Sequence, residues 1–309
     1  MIGKEQIKND IDSPLVSICI PTYNRAEKLE RAVRSAQNST YENIEIIISD
    51  NASSDHTEAV SKRLASTDGR ILYFRNESNI GAAKNFEHVR SKANGKYFMW
   101  LGDDDRICNL YVEKCMAALE LDLSLAVASG VAIFMIGEKQ HHTTKRIKIT
   151  NSIAAFRVLR YLLSVTDNSI FYGVFRREHA IDAKLGNFLA GDWAFMADVL
   201  DIGKADVVED ARIYRDAEKS TSSSIKSIVE SINAPEWHWR YPWIAMACNI
   251  SKHDWARNNR NTARIVNQAI IFGVLMYRSA WENFKFTMSN IRLAKMIYRK
   301  HFKRDRIEQ

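Results

Sequence analysis

The stretch VSICIPTYNRAEKLERAVRSAQNSTYENIEIIIS, Val16 to Ser49, decides the reading of the fold. Val16 to Pro21 is a short apolar run closed by proline, which reads as a buried strand. In AEKLERAVRSAQ the residues Leu29, Ala32, Val33 and Ala36 recur at i, i+3, i+4 and i+7, so they share one face of an amphipathic helix. IEIIIS, Ile44 to Ser49, is again continuous and β-branched. Two strands without polar alternation, joined by a helix, predict a parallel pair covered on both faces.

Downstream the alternation continues. DHTEAVSKRLA opens with Asp55 and Glu58 in a capping-box pattern. ILYFR (Ile71 to Arg75) reads as a third strand, AAKNFEHVRSKA as a third helix and KYFMWL as a fourth strand. SLAVASGVAIFMI (Ser124 to Ile136) is predicted as further strand, 137–150 as an exposed excursion and 151–164 as helix. NSIFYGVFRREH reads as a strand running into a turn, and GDWAFMADVLDIG as a helix with Asp192 at its start. In sheets of this kind the ligand site lies beyond the carboxyl ends of the strands. There the sequence sets TYNR, DNASSD, NESNIG and GDDD after strands one to four. Each alone is ordinary turn chemistry; four polar loops on one edge describe a site.

At 309 residues the chain has room for one large domain or two, and its 46% hydrophobic and 26% charged content is that of a globular protein. The four cysteines show no CxxC or His-paired spacing, which argues against structural zinc or a disulfide framework and fits a reducing cytoplasm. The first residues lack a signal-peptide core, and AIIFGVLMY (Ala269 to Tyr277) is too short to span a bilayer. The net charge of +7 is uneven: residues 218–309 hold 16 Lys/Arg against 7 Asp/Glu, and the preceding 217 hold 28 against 30.

KYFMWLGDDDR, Lys96 to Arg106, sets three adjacent aspartates one glycine beyond a buried strand. Like charges so close raise one another's pKa, so the cluster makes sense around a divalent cation. Mg²⁺ or Mn²⁺ takes one or two hard carboxylates and fills its shell with phosphate oxygens. The competing reading is a solvated acidic turn capping a helix that begins near Asn109.

SICIPTYNR, ISDNASSDHT, NESNIGAAKNF and GKYFMWLGDDD, in that order and spacing, resemble a family 2 glycosyltransferase with the GT-A fold. The similarity is close over about 14–120 and loose to about 217. It implies an α/β, Rossmann-like, mostly parallel sheet flanked by helices: a catalytic domain over 1–217, with a nucleotide-sugar-binding half (14–120) and an acceptor-side half (121–217). A basic, Trp-rich helical region follows over 218–309. By this resemblance the first loop lines the nucleotide pocket with Thr22, Tyr23 and Arg25, and Asp50 meets the base or ribose. Asn79, Gly81, Lys84 and Asn85 approach the donor; many relatives carry Arg where Lys84 stands. The metal motif falls on Asp103, Asp104 and Asp105, with Asp105 and Asp103 favoured as ligands of Mn²⁺ or Mg²⁺. Gly102 occupies the place of the first Asp in the common Leu-Asp-x-Asp-Asp version.

Sugar transfer also needs a base, because the acceptor hydroxyl has a pKa far above 7. The resemblance puts that base at Asp192 in LAGDWAF, where Gly191 replaces the usual first acid; the alternative role for Asp192 is an N-cap. Trp193 is either a sugar-stacking or a core aromatic. Arg215 and Lys219 are readable as diphosphate contacts, with surface exposure the favoured reading. His141, His142 and His238 lack metal-ligand spacing.

The C-terminal third holds five of the seven tryptophans. It reads as a packed helical region with a basic tail or a homodimer face, or as a contact with the inner membrane surface suited to a lipid-linked acceptor. No pattern points to nucleic acid. The reading is a cytoplasmic, metal-dependent, inverting glycosyltransferase, peripheral at the membrane face in the lipid-acceptor case. It takes a nucleotide-diphospho-sugar donor and a saccharide or lipid-linked acceptor, in surface polysaccharide or glycoconjugate assembly. A non-catalytic nucleotide-sugar or glycan-binding protein is the alternative. A nucleotidyltransferase is less favoured, since TYNRAEK contains no glycine for a phosphate loop.

Overall fold

The structure is a computed structural model describing residues 13–144, 146–217 and 225–253, with isolated positions at 272–273, 276–277 and 280. Lys219 and most of the basic, Trp-rich C-terminal stretch, from Asp254 on, lie outside the described residues.

The chain runs β1 (Val16–Thr22), α1 (Ala26–Gln37), β2 (Ile44–Asp50), α2 (Thr57–Thr67), β3 (Ile71–Arg75), α3 (Ala82–Ser91) and β4 (Tyr97–Trp100). It continues through β5 (Arg106–Ile107), α4 (Tyr111–Leu121), β6 (Leu125–Ile136), β7 (Lys139–Thr143), α5 (Ala154–Ser164) and a 3₁₀ turn at Ser169–Tyr172. Then come β8 (Val174–Arg176), α6 (Arg177–Ala180), α7 (Gly191–Ile202), β9 (Lys204–Asp216), α8 (Ile225–Ser231), α9 (Trp237–Arg240) and α10 (Pro242–Lys252). Strands pair in the order β3-β2-β1-β4-β8-β6-β9-β5, with β7 on β6. The first four are mutually parallel, and β8 joins β4 antiparallel.

Successive side chains of a strand point to opposite faces, and both faces are buried here. Ile18 and Ile20 join Leu29, Ala32 and Val33 of α1, together with Tyr97, Met99 and Leu101. Cys19, Phe98 and Trp100 face the other way, against Val89, Phe171, Phe175 and Phe195. This explains why β1, β2 and β4 carry no polar alternation. The register aligns Thr22 with Asp50 and Asp50 with Arg75, so the first three strands end at one level. Their loops open side by side with the turn that follows β4.

Several expectations are refined. Asp55 does serve the start of α2, accepting bonds from the Thr57 N–H (3.0 Å) and hydroxyl (2.5 Å), but the helix begins one residue later than a capping box needs. Glu58 pairs with Lys62 and Arg75 instead. The 137–150 excursion contains β7, whose exposed residues could not announce a strand. NSIFYGVFRREH is a 3₁₀ turn, a three-residue strand and a short helix. No helix among the described residues is long and apolar enough to cross a membrane, and all four cysteines are free thiols.

Candidate active site

Gly102 follows the buried β4 and lets the chain fold tightly: the Asp105 N–H bonds the Gly102 carbonyl at 3.0 Å. A Cβ at Gly102 would lie 3.0 Å from Asp105 Oδ2 and 3.1 Å from Asp104 Oδ1, so the turn leaves little room for a side chain. The result is not a solvated cap. Asp103 is 7% and Asp105 3% exposed, and α4 begins only at Tyr111, with β5 between.

Each buried carboxylate has its own partners. Asp103 accepts from the Thr22 hydroxyl (2.8 Å) and Arg25 Nη1 (3.1 Å), and Arg25 reaches Asp104 at 2.6 Å. Asp105 accepts from Arg215 Nε (3.3 Å) and the Asp216 N–H (3.2 Å). Burial, and then the charge of Asp104, pushes the Asp103 carboxyl up to about 6 against the pull of Arg25 and Thr22. Burial pushes Asp105 up to about 6 as well, against the pull of Arg215. Arg215 departs from expectation: it lies inside, over the Tyr172 ring at 4.4 Å, with Nη1 toward the Asp167 carbonyl (3.3 Å) and Ser169 Oγ (3.4 Å). The signal was in the strand, because Arg215 is in phase with the buried Ala211 and Ile213 of β9.

The second and third loops are sewn together by asparagines. Asn51 accepts from the Ile80 N–H (2.9 Å) and Asn76 (3.1 Å) and donates to Asn79 (2.8 Å). Asn85 is buried and engaged with Ser49 and Asn76, so it holds the loop rather than reaching outward. Asp50 is fully buried and accepts from the Ser53 N–H (2.9 Å) and Tyr73 hydroxyl (3.0 Å). Tyr23 is 43% exposed above this edge. Asn24, at φ 53°, locks the first loop to the second through Ser53 and Ser54. Gly81, at φ 86°, precedes α3, and Lys84 is exposed on its first turn.

Asp192 sits in the first turn of α7, whose N-cap is Ala190, so it does not occupy the N-cap position. Its Oδ2 accepts from Asn168 Nδ2 at 2.7 Å. Burial raises its pKa, opposed by Asn168, by the backbone N–H groups of Trp193 and Asp192, and by Arg215. The Arg215 and Asn168 contacts thereby join the Asp103–Asp105 turn to Asp192 through Asp167–Ser169. Trp193 is buried against Trp243, ring centroids 6.1 Å apart.

A cleft of about 140 Å³ opens beside the turn, lined by Lys28, Arg31, Asp104, Arg106 and Tyr214 among others. Among the described residues no three His, Cys, Asp or Glu side chains form a ready-made cation cage. The donor chemistry still suits Mg²⁺ or Mn²⁺, which need only one or two carboxylates when phosphate oxygens complete the shell. Asp103 and Asp105, with their buried hard oxygens, are the residues here that could supply those.

The model of the family "Glycosyl transferase family 2" matches residues 17–182. A GalNAc(5)-diNAcBac-PP-undecaprenol beta-1,3-glucosyltransferase of Campylobacter jejuni is 39% identical over 95 residues, covering 30% of this chain and 31% of that protein. Abequosyltransferase RfbV of Salmonella typhimurium is 45% identical over 96 residues, 30% of this chain and 29% of its own length. The chain thus spans less than a third of these curated relatives. Among solved structures, S. aureus TarS in complex with UDP-GlcNAc superposes with a TM-score of 0.57 at 16% identity, covering 86% of this chain and 82% of that one. Mannosyltransferase PcManGT from Pyrobaculum calidifontis, in complex with GDP-Man and Mn²⁺, gives 0.56 at 14% identity, covering 92% and 81%. The fold is of the GT-A type.

Proposed function

The chain belongs to glycosyl transferase family 2, and from that premise we propose that it moves a sugar from a nucleotide-diphospho-sugar to a saccharide or lipid-linked acceptor. The anomeric carbon inverts, and the setting is assembly of a surface polysaccharide or another glycoconjugate. The observation that carries this is the pair of buried carboxylates Asp103 and Asp105 at a strand end, joined through Arg215 and the 167–169 segment to a third carboxylate, Asp192.

Tyr23, with the Asp50 and Asn79–Gly81 loops behind it, forms the nucleotide side. Lys84 is exposed beside the donor path, and Asn85 acts from within by holding its loop. Asp105 and Asp103 would hold the divalent cation, with Asp104 beside them, and Thr22 and Arg25 orient Asp103. A divalent cation held there would supply positive charge against the charge gathering on the leaving diphosphate. Asp192 accepts the proton of the acceptor hydroxyl as its oxygen bonds to the anomeric carbon and the carbon–phosphate-oxygen bond breaks. The nucleoside diphosphate leaves from the opposite face, which gives inversion. Contact of the C-terminal region with a membrane surface is supported by exposed Trp237 and Tyr241 flanking Arg240, an arrangement suited to an interface.

Calorimetric titration with a panel of nucleoside diphosphates, with and without Mn²⁺, tests this reading alongside Asp105→Ala. Binding of one nucleotide that requires both the cation and Asp105 is expected. No binding under any metal condition would sink it.

A further inference from the structure

Asn168 lies between α5 and the 3₁₀ turn, at φ 51° and ψ 31°, a left-handed conformation that Asn adopts more readily than most residues. It is 6% exposed. The Tyr161 hydroxyl, itself buried in the core, donates to Asn168 Oδ1 at 2.7 Å, and Asn168 Nδ2 donates to Asp192 Oδ2 at 2.7 Å. The direction of this chain follows from donor capacity. An ionised carboxylate only accepts, so the amide nitrogen must face Asp192, leaving the amide oxygen for the phenol O–H.

The neighbours fix the segment further. Asp167 Oδ1 accepts the Ser169 N–H at 2.9 Å and the Ser169 hydroxyl. Arg215 clamps the Asp167 carbonyl and Ser169 Oγ while its Nε meets Asp105. Among the described residues, Arg215 of β9 and Tyr172 of the 3₁₀ turn act on Asp192 through charge, while Asn168, with Tyr161 behind it, and the first N–H groups of α7 bond to it.

We infer that Asn168 is a positioning residue, oriented by Tyr161, that fixes the Asp192 carboxylate and keeps it ionised as proton acceptor. The inference rests on the reading of Asp192 as the base. It assigns the Asp167–Asn168–Ser169 segment a role that no sequence pattern announced: one side meets Arg215 of the Asp105 site and the other meets the base.

The test follows the Asp192 carboxyl directly, by carbon-13 NMR titration of aspartate-labelled, metal-free protein, the resonance being assigned by its loss in Asp192→Asn. Asn168→Gly removes the donor while tolerating the left-handed backbone. It should raise the Asp192 pKa by about one to two units, the size of one hydrogen bond to a charged group. Asn168→Asp should raise it further, and Tyr161→Phe, which keeps the core filled, less but in the same direction. In transfer assays the acid limb of kcat/KM should move up by the same amounts with donor KM unchanged. An unmoved titration in folded Asn168→Gly and Tyr161→Phe protein overturns the relay, whatever the activity. A titration that moves while the acid limb does not overturns Asp192 as the base and leaves the hydrogen bonds standing.

Discussion

Arg215 follows Ala211 and Ile213 on the inward face of β9, so its guanidinium, on a side chain only 19% exposed, meets the buried Asp105. A buried carboxylate left unpaired costs more than the pair gains, and this asymmetry sets the expected effect of losing the arginine. Arg215→Met, close in shape and uncharged, should lower the stability of chelator-treated protein by about 3 kcal/mol at pH 7. Partial protonation of Asp105, whose pKa is already near 6, limits the loss. If Asp105 holds the proposed cation, Mn²⁺ with a nucleoside diphosphate should narrow the gap, because that cation would replace the missing positive charge. Urea unfolding with and without the metal and nucleotide checks both. Equal midpoints for wild type and variant in chelator would mean that the ion pair carries no weight. At this scale the three aspartates were legible because their crowding is visible in sequence. Arg215 was legible only to a reader who followed the two-residue period of ARIYRD into the core. Asn168 was not legible at all, since an Asn between Asp and Ser reads as a turn wherever it occurs.

The elements that could be read were those whose pattern is set by burial of their own residues. β1, α1, β2 and β4 bury every apolar residue their periodicity assigns to the core. β5 and β7 escaped because their strand character comes from partners: Ile107 pairs with Ile213, and Phe134 with His142, across long separations or an exposed hairpin. Loops between elements also carry structure that composition does not show. Asp68, after α2, accepts from Gln37 of α1 (2.9 Å) and from the Arg70 N–H, Nε and Nη2, while its own carbonyl takes the Ile71 N–H. It therefore ties α1 to the start of β3. Arg70's bonds first, and then Gln37's, hold the Asp68 carboxyl well below the usual carboxylate range. A folded-state pKa below the unfolded one gives stability that is present above about pH 4 and lost as pH falls through the folded value. Asp68→Asn should thus cost about 1–3 kcal/mol at pH 7, the scale of a hydrogen bond to a charged group. The difference from wild type should shrink by pH 3. Urea midpoints for both proteins at the two pH values measure this, and a gap constant with pH would show that the charge of Asp68 is not what ties the elements.

Over the whole molecule, charge and packing divide the chain differently. Composition separates a slightly acidic stretch before residue 218 from a basic one after it, whereas apolar contacts run across that point. Ala247 and Ile250 of α10 share a cluster with Val199 and Leu200 of α7 and with Trp100, which leads into the aspartate turn. Asn249 donates to the Leu189 carbonyl at 3.2 Å, and His253 meets Asp198 at 2.9 Å. Charge counts describe surfaces and say little of which helices a core recruits, so α10's place was invisible to them. If α10 folds with the sheet, damage to it must be felt at β4. Ile250 is fully buried, and Ile250→Ala removes three carbons from a packed interior, a change that costs about 2–5 kcal/mol. Native-state hydrogen exchange should show that loss in full at the slowest amides of β1 and β4, because their opening is the global unfolding reaction. Were α10 an appendage with its own transition, the loss would be confined to amides of α10, and those of β4 would exchange as in wild type. The two outcomes differ by a factor of about 30 or more in exchange rate at β4. Full loss at β4 would make the helices after Ala217 part of what holds the aspartate turn in place, and a chain ending there would lack one wall of the core behind that turn.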